Sequence, residues 1–148
     1  AYHFDWVHSL DRIKLAERLS KQRPPTLPPL NVCVQVNLDN QPTKRGLEGS
    51  AVADMIHHII GLPQIKLRGL MTIPKPRQTR NEQRQIFAQL SCLKEEINIR
   101  LDKSQKLDTL SMGMSSDLEA AIQEGSTIVR VGTDIFGPRK AKGRSEQL

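Results

Sequence analysis

The sequence predicts an α/β fold of parallel βαβ units, of the (β/α)8 TIM-barrel kind but incomplete, with about five strands and four helices. Three observations carry this. Short apolar segments alternate regularly with amphipathic helical ones in the order β-α-β-α-β-α-β-α-β, which argues for parallel βαβ units. The segment Leu30-Asn-Val-Cys-Val-Gln-Val-Asn37 is β-branched and almost continuously apolar, as a strand covered on both faces should be. The last two strands each run into glycine and hydroxyl residues, and in (β/α)8 barrels the loops after the last two strands often bind phosphate. Five strands cannot close a barrel.

The elements follow in order. Phe4-Asp-Trp-Val-His-Ser9 reads as a strand already under way, and with no Met before Ala1 the chain is expected to be the C-terminal portion of something longer. Asp11 or Ser9 can cap a helix over 12–22, with Leu15, Ala16 and Leu19 on one face. The prolines after Arg23 stop it by removing donors and restricting the preceding residues. After the strand at 30–37 and a polar loop, Val52, Met55, Ile56, Ile59 and Ile60 fit a helical stripe, with Gly61 placed as its C′ residue. The segment 65–72 is the third strand, closed by Pro74 and Pro76. A longer helix spans about 81–101, with Ile86, Leu90, Leu93 and Ile97 in one stripe. Residues 1–138 are expected to form the barrel part and 139–148 a basic flexible tail.

Composition narrows the function classes. No run approaches the ~20 apolar residues of a membrane span. Nothing in the sequence resembles a secretion leader. Cys33 and Cys92 have no metal-ligand or CxxC spacing, so two reduced, buried thiols in a cytoplasmic protein are expected. A net charge of +6 suits nucleic acid, but aromatics are only 3% and the basic residues scatter over helix faces, apart from Arg139-Lys-Ala-Lys-Gly-Arg144. No nucleic-acid or membrane partner is expected. GxGxxG after the first strand and GxxxxGK[ST] are both missing.

The chemistry concentrates in Leu110-Ser-Met-Gly-Met-Ser-Ser-Asp-Leu-Glu119 and Thr127-Ile-Val-Arg-Val-Gly-Thr-Asp-Ile-Phe-Gly137. Ser116-Asp-Leu-Glu119 has the pattern of a capping box, and a helix start there favours an anion. Arg130 shares a strand face with Ile128 and Gly132. If that face points into a barrel, the guanidinium needs an anionic partner: a carboxylate such as Asp117 or Asp134, or a phosphate gripped by two hydrogen bonds. Gly132 and Thr133 immediately after it favour phosphate. His57 and His58 belong at a helix edge or in solvent, and His8 at a strand end reads as a packed or hydrogen-bonded imidazole. Arg68 and Met71 either wall a pocket or pack. No Ser-His-Asp triad or metal site is legible.

Phe4-Asp-Trp-Val-His-Ser-Leu-Asp11, Leu67-Arg-Gly-Leu-Met-Thr-Ile-Pro74, Leu110-Ser-Met-Gly-Met-Ser115-x-Asp117 and Val129-Arg-Val-Gly-Thr133 through Ile135-Phe-Gly137 closely resemble the YggS/PROSC family of pyridoxal 5′-phosphate (PLP) homeostasis proteins, in order and at the expected spacing. The resemblance implies a single barrel like the N-terminal domain of alanine racemase, acting as a PLP carrier or buffer in vitamin B6 homeostasis without robust catalysis. It implies cofactor-binding roles for Ser115, Arg130, Gly132 and Thr133 as a phosphate cup, with Ser111 and Met112 near the ring, and no catalytic residues. It implies a monomer that serves PLP-dependent apo-enzymes. The family's Schiff-base lysine, near the end of its first strand, has no counterpart here: Lys14 and Lys94 fall on helices and Lys44 in a loop. Two rivals remain open: a PLP-dependent racemase or decarboxylase on the same barrel, and a basic RNA-binding protein.

Overall fold

The computed structural model describes residues 1–40 and 44–138. Its strands are β1 (Trp6–Leu10), β2 (Leu30–Val36), β3 (Ile65–Thr72), β4 (Thr109–Met114) and β5 (Ile128–Arg130). They alternate with helices α1 (Ile13–Gln22), α2 (Gly49–Ile60), α3 (Arg80–Arg100) and α4 (Leu118–Gln123), and a single turn, α5 (Thr133–Phe136), follows β5. The basic tail at 139–148 lies outside the described residues.

All four strand pairs are parallel and the sheet order is β1-β2-β3-β4-β5. That order decides the architecture. A doubly wound sheet reverses direction at a switch point and so carries helices on both faces. Here each crossover adds its strand to the same growing edge, and connections of the usual right hand then collect the helices on one face. The result is a five-stranded parallel half-barrel.

One bond shows the curl directly. His8 Nδ1 lies 2.8 Å from Ser111 Oγ, although β1 and β4 are three places apart in the sheet. In a flat sheet those strands would be roughly 14 Å apart, beyond the reach of two such side chains.

The pleat divides the strand residues between two environments. Leu10, Leu30, Val32, Val34, Leu70, Leu110 and Met112 join the main core together with residues of the covering helices, including Val52, Ile59, Phe87, Leu90 and Ala121. On the concave face stand Trp6, His8, Cys33, Gln35, Met71, Ser111 and Arg130, at the alternate positions. Near the N-terminal ends of the strands, Arg68 donates from Nε and Nη2 to the Asp108 carboxylate and from Nη1 to Asn31. Its guanidinium also stacks 4.9 Å from the Trp6 ring, so Arg68 packs, and it lines a separate cavity with Lys66 and Asp108.

Several local expectations are corrected. Neither Asp11 nor Ser9 caps α1: the N-cap is Arg12, without a side-chain cap bond, and Asp11 accepts from Arg12 Nε instead. The start of α3 carries the reciprocal capping box that the sequence reading missed, Thr79 with Glu82. Phe87, left out of the predicted stripe, is fully buried. At α4 the expected Ser116–Glu119 box does not form. Asp117 is the N-cap and turns its carboxylate back to accept the Met114 amide at 2.7 Å, while Glu119 pairs with Arg80. Cys92 is exposed, not buried.

Gly61 does follow α2, but as its C-cap at φ −79°, in right-handed geometry open to any residue. A Cβ there would find only the His58 carbonyl, at 3.6 Å. Gly61→Ala is therefore expected to leave stability unchanged or to raise it by about 0.4–1 kcal/mol through the unfolded chain. A urea midpoint lowered by the substitution would mean that the turn needs its glycine.

Candidate functional site

The C-terminal ends of β4 and β5 lie side by side and open into a cavity of about 680 Å³. Four of the six residues singled out in the sequence line it: Ser115 after β4, Arg130 at the end of β5, and Gly132 and Thr133 in the next turn. The two turns touch, with the Asp134 amide donating to Ser115 Oγ at 3.3 Å. The turn after β4 is shaped by Gly113, whose φ of +94° favours glycine and where a Cβ would stand 2.5 Å from that of Ala121. Gly132 differs: its φ is −119° and a Cβ there would meet nothing within 4 Å. The protein's own packing makes no demand for glycine at that position, which fits a backbone left bare for a ligand.

Arg130 is held from below. Its Nη1 donates to the Ser111 carbonyl (3.0 Å) and to Ser111 Oγ (2.6 Å), and its Nη2 to the Thr72 carbonyl (2.9 Å). No carboxylate among the described residues pairs with it, so Asp117 and Asp134 do not fill the role considered for them. Burial draws the Arg130 pKa below its ordinary value, and the charge of Asp117 only partly opposes this. A half-buried cation without a carboxylate partner is suited to an incoming anion.

Ser111, expected near the site, lies one step deeper on the concave face and is fully buried. Its hydroxyl meets both Arg130 and His8. The His8 pKa is lowered first by burial and then by the charge of Arg130, which favours a neutral ring. Met112 stands apart from this set. It belongs to the helix-packed core, on the opposite face of β4 from Ser111, and its side chain does not join the concave face. Cys33 does share that face, but its thiol is pushed up to about 12, mainly by burial, which disfavours the nucleophilic thiolate. His57 is exposed and His58 pairs with Glu17 at the edge of α2, as expected.

Sequence reasoning missed the Thr72 carbonyl and, having read His8 as a packed or hydrogen-bonded imidazole, missed that its partner is Ser111. The strand period puts His8 and Trp6 on one face but does not reveal that partner.

The family model of the alanine racemase N-terminal domain matches residues 1–140. The chain belongs to this family. Its curated relatives include proteins named pyridoxal phosphate homeostasis protein. It is 51% identical to the one from Pseudomonas aeruginosa, over 94% of this chain and 58% of that protein. It is 47% identical to the one from Pasteurella multocida, over 94% of this chain and 59% of that protein. Among solved structures, PipY of Synechococcus elongatus with PLP bound superposes with a TM-score of 0.80 at 37% identity, covering 91% of this chain and 62% of PipY. The YggS/PROSC resemblance read from the motifs is thus borne out. The chain spans about three-fifths of the length of these relatives.

Proposed function

We propose that this chain carries the phosphate-holding side of a PLP-binding homeostasis protein. The observation that carries this reading is the cavity where Ser115, Arg130, Gly132 and Thr133 converge. The donor set suits a phosphate: a serine hydroxyl, a guanidinium without a carboxylate partner among the described residues, and the backbone N–H groups of Gly132 and Thr133 that open the turn after β5, ahead of the Asp134 N–H already given to Ser115. That PipY holds PLP supports PLP as the ligand.

Ser115 and Thr133 would orient the phosphate, Gly132 would let the backbone approach it, and Arg130 would supply the opposite charge. Ser111 would lie deeper, beneath Arg130. When bound, PLP supplies an aldehyde that combines reversibly with amines and a phosphate that serves as its handle. No lysine lines the cavity among the described residues, and on this reading the covalent anchor would come from outside that lining. On this reading the half-barrel is the larger part of a (β/α)8 barrel of the alanine racemase type, completed by further strands. The whole protein would act as a cytoplasmic, monomeric PLP carrier or buffer serving apo-enzymes, without robust turnover.

The enzyme reading shares the fold. The arginine decarboxylase of Paramecium bursaria Chlorella virus superposes with a TM-score of 0.64 at 12% identity, a likeness of fold alone. Spectrophotometric titration of the complete protein with PLP, followed by an alanine racemisation and amino-acid decarboxylation assay, separates the readings. Binding without turnover above that of free PLP is expected. Turnover well above free PLP would make it an enzyme, and failure to bind PLP would end the proposal.

A further inference from the structure

We infer that His8 is a positioning residue for this anion site, acting through Ser111 on the guanidinium of Arg130. The inference rests on the PLP reading of the cavity. His8 stands on β1 and Arg130 on β5, the two opposite edges of the sheet, and Ser111 on β4 joins them across the concave face.

The direction of the hydrogen bonds follows from the chemistry of the three groups. A guanidinium has only donors, so at 2.6 Å the Ser111 oxygen must accept from Arg130 Nη1. In the inferred relay the hydroxyl proton of Ser111 goes to His8 Nδ1, 2.8 Å away. His8 then presents Nδ1 as an acceptor and carries its proton on Nε2, the tautomer that the His8 variants test. The relay runs one way, from Arg130 to Ser111 to His8. The Trp6 ring holds the imidazole edge to face, with centroids 5.6 Å apart and planes at 67°.

His8 thus fixes where the Ser111 lone pairs point, and with the Thr72 carbonyl this fixes the guanidinium at both Nη atoms. Three bonds occupy three of the five N–H donors of Arg130, leaving the Nε hydrogen and one on Nη2 for an anion. The guanidinium is then set before the ligand arrives, and preorganisation of this kind raises affinity without adding a contact.

The test is PLP titration of the complete protein and its variants, with circular dichroism to verify folding. His8→Phe keeps a ring against Trp6 and deletes the acceptor; His8→Leu serves if the Phe variant does not fold. Loss of one neutral hydrogen bond is expected to weaken PLP binding about fivefold. His8→Asn, whose amide oxygen can replace Nδ1, is expected to restore most of the affinity. In a double-mutant cycle, His8→Phe with Ser111→Ala should bind no more weakly than Ser111→Ala alone, because the relay is already broken.

Unchanged affinity in folded His8→Phe, alongside weakened binding in Arg130→Ala, would overturn the inference while leaving the site standing. So would independent, multiplying effects of the His8 and Ser111 substitutions, or a folded His8→Asn variant as weak as His8→Phe. Unchanged affinity in Arg130→Ala would instead overturn the reading of the cavity itself.

Discussion

Arg130→Ala in the complete protein is expected to weaken PLP binding about 10- to 150-fold, equivalent to the roughly 1.5–3 kcal/mol of a charge-assisted hydrogen bond. The guanidinium lies at the edge of the cavity and has no carboxylate partner among the described residues. Burial already disfavours its charge, so an arriving phosphate relieves a standing electrostatic penalty in addition to forming new bonds. Arg130→Lys should recover only part of the loss. An ammonium supplies the charge, but it cannot bridge the Ser111 and Thr72 oxygens while also presenting a flat fork to a phosphate. Equilibrium titration with PLP measures both variants. Retention of PLP by folded Arg130→Ala at the parent affinity would make Arg130 a strut between β3, β4 and β5 and nothing more.

The phosphate-binding half of the site was legible because it lies on local sequence. Gly and hydroxyl residues directly after two strands must gather where parallel strands end, and Ser115, Gly132 and Thr133 do so. Arg130 stood out as a charge in an apolar strand. The strand β3 was bounded on the residue, because prolines and Gly61 bracket a continuous apolar run. Met112 shows a signal that went unused: the pleat sets it opposite Ser111, so both side chains could not face the same ligand.

Other features were not legible in principle. The contact between His8 and Ser111 depends on how sharply the sheet curls across three strand spacings, and no local pattern encodes that angle. The cap of α4 was misread for a different reason. Ser116 and Glu119 fit the spacing of a capping box, but Asp117, one residue farther from the strand end than Ser116, turns back to take the Met114 amide, which moves the helix start. Competition among neighbouring Ser and Asp side chains for the same amides is decided by backbone geometry, which spacing alone does not reveal.

Gly69→Ala is expected to destabilise the protein by about 3 kcal/mol or more, at or beyond the upper end for overpacking. A Cβ at this position would stand 1.8 Å from the Thr109 carbonyl oxygen and 2.6 Å from its carbon, and backbone cannot rotate aside as a side chain could. The cause lies one residue earlier. β2 and β3 pair Val32 with Leu67 but Cys33 with Gly69, so Arg68 is an extra residue in the ladder. Such a bulge bends its strand and increases the local twist. It brings Gly69 against β4 while turning Arg68 towards Asp108 and the Trp6 ring. An alanine would force β3 from β4 where they pair Gly69 with Thr109, two residues before Ser111. Because Arg130 spans these same strands, through Thr72 and Ser111, the displacement should reach the PLP site as well. Urea denaturation, read for midpoint and slope together, separates lost stability from a changed unfolded state. A Gly69→Ala variant within 0.5 kcal/mol of the parent would mean that β3 and β4 can separate freely, and the fixed geometry claimed for Ser111 and Arg130 would lose its basis.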